Sequence, residues 1–178
     1  PAELLAHEDR YGFEGIARQG DRLWMAVQRE WGDDPAGQVK LVSYDLLTQD
    51  WGAVAYPLDP AGDGWTGLSE IAIDGDWAYL VERDNLIGDA AVLKALFRVP
   101  LSEMVPAGLG DPLPVVTKEL VRDLIPDLKA QNGYVLDKVE GFAIDAAGMG
   151  WVVTDNDGTD DSSGETLFWS TGLMRAAQ

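Results

Sequence analysis

The sequence predicts an all-β fold, a β-propeller fragment of about three four-stranded antiparallel blades. Three observations carry this. One segment plan recurs three times along the 178 residues. Each copy holds apolar runs rich in β-branched and aromatic residues, bounded by Gly and Asp. In the first two copies four such runs follow one another with short connections, which is the pattern of an antiparallel meander.

The three copies begin at GFEGIARQGDRLWMAVQRE (Gly12 to Glu30), GLSEIAIDGDWAYLVERDN (Gly67 to Asn85) and KVEGFAIDAAGMGWVVTDND (Lys138 to Asp157). Each has a Glu within its first four residues, passes an Ile-Ala or Phe-Ala pair and a Gly/Asp turn, and ends an apolar run in a polar cluster. RLWMAVQR and WAYLVER are nearly continuous apolar runs, which suits strands covered on both faces. In the first unit Gln38–Leu46 and Trp51–Leu58 complete the four strands. In the second the expected strands are Leu68–Ile73, Trp77–Arg83, Val92–Pro100 and Val115–Val121. Asp123–Gln131 reads as a short helix between the second and third units. The third unit shows Val139–Asp145, Gly150–Thr154 and Thr166–Ser170, one strand short of a blade. The whole of 1–178 thus reads as one domain with units at 12–58, 67–121 and 138–171.

About eleven strands make fewer than three full blades, whereas propellers close with about four or more. Three blades alone would leave long open edges. The expectation is a chain that needs further blades, either its own or those of a second chain, a homodimer included. A compact β-sandwich of stacked repeats is the competing arrangement. The tryptophans at strand starts, Trp24, Trp51, Trp77 and Trp151, read as packing between blades.

Composition restricts the function. Thirteen basic residues against 31 acidic ones give a net charge of −18. Such a field repels nucleic acid and anionic membrane surfaces, and it suits hard cations such as calcium. There is no cysteine, so disulfides and thiolate zinc sites are excluded. His7 is the sole histidine and lies outside the repeats, which counts against a Ser-His-Asp hydrolase. No apolar stretch reaches the roughly 18–20 residues of a membrane span. Neither a phosphate-binding G-x-x-x-x-G-K loop nor a G-x-S-x-G elbow is present.

The candidate site residues come from the repeats. Glu14, Glu70 and Glu140 sit in the first strand of each unit, which lines the axis of a propeller, so they are candidate metal ligands. They could equally be structural carboxylates bonded to backbone N–H groups of a neighbouring blade. Glu70 is one place out of register; Ser69 stands at the matching position. Glu82, Arg83 and Asp84, and likewise Asp155, Asn156 and Asp157, end the second strands. Asp155 and Asp157 alternate along a strand and can point the same way, as metal ligands would. With Asp160 and Asp161 they suggest a calcium loop, yet the sixth position is Asp160 where an EF-hand needs Gly. A solvated acidic loop is the plainer alternative for Asp160 and Asp161. Arg29, Arg83 and Lys138 flank these acids, and Arg83 is the candidate anchor for a substrate oxygen, or else the partner of an internal ion pair.

GFEGIA at 12–17, YPLD at 56–59, SEI and ERD at 69–71 and 82–84, KVEG at 138–141 and DND at 155–157 together resemble the C-terminal half of the phytase-like β-propeller family, the "esterase-like activity of phytase" domain. The resemblance runs from about Tyr11 to Leu167. It implies a parent propeller of about six or seven blades, a bacterial protein in the periplasm or secreted, and calcium-dependent hydrolysis of phosphate esters or related esters. On that reading Glu82, Arg83 and Glu140 are the expected catalytic residues. Glu14, Glu70, Glu82, Glu140, Asp155 and Asp157 are the expected calcium ligands, and a small ester is the expected partner. A non-catalytic propeller that binds a protein or glycan, with structural calcium, is the alternative from another class.

Overall fold

A computed structural model describes residues 1–8, 10–136, 138–156 and 166–174. They form three antiparallel sheets. The first comprises β1 (Phe13–Gln19), β2 (Arg22–Val27), β3 (Gln38–Asp45), β4 (Trp51–Pro57) and the two-residue β8 (Ala107–Gly108), in that spatial order. The second comprises β5 (Thr66–Asp74), β6 (Trp77–Asp84), β7 (Lys94–Pro100) and β9 (Glu119–Asp123). The third comprises β10 (Lys138–Ile144), β11 (Met149–Asp155) and β12 (Phe168–Leu173). Among the described residues two α-helices flank them, α1 (Ala2–Leu5) and α2 (Ile125–Asn132).

The all-β class, the three repeats and the order of strands within each agree with expectation. Element ends differ by one to three residues, as at β12, and sheet membership differs at two places. The expected strand Val115–Val121 is divided between two sheets. Val115 bridges in parallel to Ala55 of the first sheet, and Ala55 also bonds Pro114 and Val116. The second sheet takes Glu119–Asp123 instead. An apolar pair, Val115-Val116, reads the same in either sheet, so the sequence did not show where the chain crosses. The fifth strand of the first sheet, β8, is too short to have a pattern.

The hairpin turns follow from backbone chemistry. Gly20 and Gly75 occupy the same place in the first hairpin of their sheets, with φ of 58° and 56°. That left-handed conformation costs a residue with a Cβ, so Gly is the fitting choice.

Packing between sheets repeats with the same register. Trp24, Ala26, Leu41, Val54 and Tyr56 of the first sheet pack on Leu68, Ile71, Ala78, Leu80 and Val99 of the second. Tyr79, Val81 and Leu96, on the other face of the second sheet, pack on Val139, Phe142, Val152 and Trp169 of the third, with Leu128 of α2 and Leu124 at its N-terminus. The far face of the first sheet (Met25, Val27, Val42, Ala53) is covered by Leu4 and Trp31. We call "forward" the face that each sheet turns toward the next.

The forward face of the third sheet stands apart. Ala26 pairs with Leu41, Val81 with Leu96, and Val153 with Phe168. These are equivalent positions, because Ala26, Val81 and Val153 are also the partners of Gly15, Glu70 and Gly141. Leu41 and Leu96 are fully buried, while Phe168 is 67% exposed and stacks on Trp151 with ring centroids 5.2 Å apart.

Candidate functional site

Each first strand carries a β-bulge at the same place. The register slips between Phe13 and Gly15, between Leu68 and Glu70, and between Val139 and Gly141. The unpaired residues are Glu14, Ser69 and Glu140. A bulge re-aims a side chain and frees it from the ladder, and bulges recur beside binding sites. The register offset noted in the sequence is therefore real: Ser69, not Glu70, matches the other two.

Arg83 joins these positions. Its side chain is 2% exposed. Nε donates to Ser69 Oγ at 2.9 Å, and Nη2 donates to Glu140 Oε1 at 2.7 Å, across the boundary between the second and third sheets. Its guanidinium also lies 5.5 Å from the centroid of the Trp65 ring. A cleft of about 320 Å³ opens here, with Glu14, Arg83 and Lys138 on its wall beside Arg10, Tyr11 and Trp65. The Glu14 carboxyl is held above its ordinary value, first by partial desolvation and then by the negative charge of Glu140; Arg83 and Lys138 pull it back down. One carboxylate whose acid form is favoured by its surroundings thus shares a cleft with several cations.

Glu70 has a different position. Its carboxylate accepts hydrogen bonds from the Ile71 N–H at 2.9 Å and from the backbone N–H of Phe142 in the third sheet. Burial nevertheless raises its carboxyl above the ordinary value. A Cβ on Gly15 would stand 2.5 Å from the Glu70 Oε1 and 2.6 Å from the Ile71 nitrogen. Glycine at 15 is what lets this carboxylate lie between the first strands. This is the backbone-bonded arrangement weighed for the repeat glutamates from sequence.

Glu82 and Arg83 do not share a cleft. Successive residues of a strand point to opposite faces, so Arg83 faces the third sheet and Glu82 faces the first. Glu82 is fully buried. It accepts from Tyr56 Oη at 2.7 Å, from Lys118 Nζ at 2.6 Å and from the Asp59 N–H at 2.6 Å. Desolvation pushes its carboxyl up even so, against the pull of Lys118 and the hydrogen bonds. The expected trio of Glu82, Arg83 and Glu140 is accordingly split: Arg83 and Glu140 meet, and Glu82 binds together the first two sheets. Asp84 is likewise buried, paired with Lys94 Nζ at 2.9 Å and bonded by the Val92 and Leu93 N–H groups.

Asp155 ends β11 opposite Lys138 and is exposed. By register it corresponds to Arg83 and Gln28, the forward-facing residues at the ends of the other second strands. Asp157, Asp160 and Asp161 lie outside the described residues.

A calcium ion takes about six to eight oxygen ligands. Among the described residues no group of three or more acidic or histidine side chains is placed to hold a metal. The two bulge glutamates have Arg83 and Lys138 beside them, Glu140 is already committed to Arg83, and Glu70 and Glu82 are taken up by internal bonds. The described members of the expected set do not gather around a calcium ion, and no chemical step is derived through one.

Several residues of the cleft escaped the sequence reading. Tyr11, Trp65 and Arg10 lie outside the repeat motifs, in connecting segments. Lys118 carried no signal either, since it follows an irregular stretch. Tyr56 stood in YPLD, a motif with no evident chemistry until Glu82 is placed beside it.

A family model described as "Phytase-like: Esterase-like activity of phytase" matches residues 1–158. No curated protein and no solved structure matches. No helix among the described residues is long and apolar enough to cross a membrane.

Proposed function

The chain belongs to the phytase-like family, and on that premise we propose that it handles an anionic ester in the cleft at the bulged ends of the first strands. The observation that carries this reading is the convergence of Glu14, with its raised carboxyl, on a wall of cations that includes Arg83 and Lys138. Lys138 and Arg10 hold the oxygens of a phosphate ester or a related ester. Arg83, buried and committed to Ser69 and Glu140, positions the bulges more than it contacts substrate. Glu14 is the acid and base. Water oxygen bonds to the phosphoryl or acyl centre and the ester bond to the leaving oxygen breaks. Glu14 passes its proton to that oxygen and regains one from the attacking water.

The three sheets are, in this proposal, consecutive blades of a β-propeller. Two features support it: the three-fold repeat of bulge and register, and the uncovered forward face at Phe168. A further sheet of the same plan, from a longer chain or a second one, would cover that face. An exported location is part of the same reading and rests on the family alone.

A second reading is favoured by the carboxylates that are consumed internally. Glu70 and Glu82 hold backbone and neighbouring sheets together, as they would in a binding module without turnover. The test is hydrolysis of p-nitrophenyl phosphate and p-nitrophenyl acetate, with calcium and with chelator. Turnover that drops by about 10²-fold or more in Glu14→Gln supports the enzyme. Absence of turnover in either condition, or a Glu14→Gln variant as fast as the parent, favours the binding module.

A further inference from the structure

Asn85, the residue after β6, is not on the wall of the charged cleft, but it fixes one that is. Thr66 pairs with Asp84 at the end of the β5–β6 ladder, and Trp65 and Asn85 extend that ladder by one step. The Asn85 N–H donates to the Trp65 carbonyl at 3.1 Å. In a regular pair the Asn85 carbonyl would accept the return bond. Its side chain does so instead: Asn85 Oδ1 accepts the Trp65 N–H at 2.8 Å. A short polar side chain that bonds backbone in this way lets its own chain leave the ladder while the partner stays fixed. The contact is tight. A Cβ on Gly64 would stand 2.8 Å from both Asn85 Oδ1 and Leu86 Cγ, so a glycine must precede Trp65. The far end of the same connection is tied to β6 as well, through the Asp59 N–H on Glu82.

The indole fixed in this way lies among cations. Its ring centroid is 4.8 Å from the Arg29 guanidinium, 5.5 Å from that of Arg83 and 5.7 Å from the Tyr11 ring. The Tyr11 ring in turn lies 4.8 Å from the guanidinium groups of both Arg10 and Arg29. Arg10, Tyr11, Arg29, Trp65 and Arg83 thus alternate, cation and ring, in one row from the first sheet to the second. Guanidinium groups held in one row repel one another. The ring faces between them offset that repulsion and set where each charge stands.

We propose that Asn85 is a positioning residue for the cleft: acting through Trp65, it holds the row of arginines in the arrangement that receives an anion. The inference rests on the function proposed above, in which the cleft takes the anionic part of an ester.

The test titrates inorganic phosphate into the folded chain by calorimetry. Saturable binding is expected in the parent. Asn85→Ala should weaken it about tenfold, and so should Trp65→Leu. The double variant should bind no more weakly than Trp65→Leu alone, because both changes act through one ring. A purely structural asparagine would lower Tm in Asn85→Ala and leave phosphate affinity unchanged. That result, or losses that add in the double variant, overturns the proposal. Should Asn85→Ala not fold, Gly64→Ala presses on the same contact from the other side; it should weaken phosphate likewise, and an unchanged affinity overturns the proposal equally. The Nε–H NMR signals of Arg29 and Arg83 separate this inference from the function beneath it. The Trp65 ring current sets their shifts, so they should move in Asn85→Ala whether or not phosphate binds. Moved signals in a protein that binds no phosphate sink the anion cleft and keep Asn85 as the residue that places the row. Phosphate binding with unmoved signals overturns the proposal and leaves the cleft standing.

Discussion

Arg83 Nη2 donates to Glu140 Oε1 at 2.7 Å, so a residue of β6 in the second sheet holds the bulge of β10 in the third. The arginine is 2% exposed and the glutamate 23%. Removing one partner of a buried pair leaves the other charge uncompensated. Arg83→Met should therefore destabilise the protein by about 3 kcal/mol, the lower end for a broken buried pair because Glu140 keeps some solvent. Urea denaturation measures it. A loss near zero would mean that the two sheets are joined by apolar packing alone.

Glu14 gives a pH prediction with a definite sign. Its carboxyl is raised, so its acid form persists above the ordinary carboxylate range. A reaction that needs this acid loses rate as pH rises through the raised value. Lys138 lowers the Glu14 carboxyl and Glu140 raises it. Lys138→Gln should shift the alkaline limb of the rate profile upward, and Glu140→Gln should shift it downward. Carboxyl NMR titration of Glu14 reads the same shifts without turnover. For stability the raised value acts as a penalty on the charged form, so the Glu14 contribution improves as pH falls from neutral through the folded value toward 4.5.

Tyr56 donates its hydroxyl to a carboxylate with no solvent of its own. Tyr56→Phe keeps the ring in the first core and removes one of the three bonds drawn to Glu82. The expected cost is about 1.5–3 kcal/mol, the range for a hydrogen bond to a charged group, read as a lower denaturation midpoint at unchanged slope. Hydrolysis by the remaining folded protein should not change, because Glu82 faces away from the cleft.

Equivalent positions should differ in energetic weight. Leu96→Ala opens a cavity between the second and third sheets and should cost about 2–5 kcal/mol. Phe168→Ala, on the uncovered forward face, should cost about 1 kcal/mol or less, mostly its stacking on Trp151. Thermal melts of the two variants test this. A large loss from Phe168→Ala in the isolated chain would show that its face is already covered.

The sequence by itself determined the all-β class, the three repeats, most of the strands and the offset between Glu70 and the other two glutamates. These are local properties: alternation, turn glycines and spacing are written in consecutive residues. It also singled out Glu14, Arg83 and Glu140. What it could not supply is direction. Glu82 and Arg83 are neighbours in one polar cluster, and only the pleat and the sheets on either side send one to Tyr56 and Lys118 and the other to Ser69 and Glu140. The same holds for Val115, which bridges to Ala55 in the first sheet rather than joining the second. Partners brought together across 57 residues, as Arg83 and Glu140 are, are chosen by how three sheets stack, and that is decided by the burial of Trp24, Tyr79, Leu41 and Leu96 between them rather than by any motif.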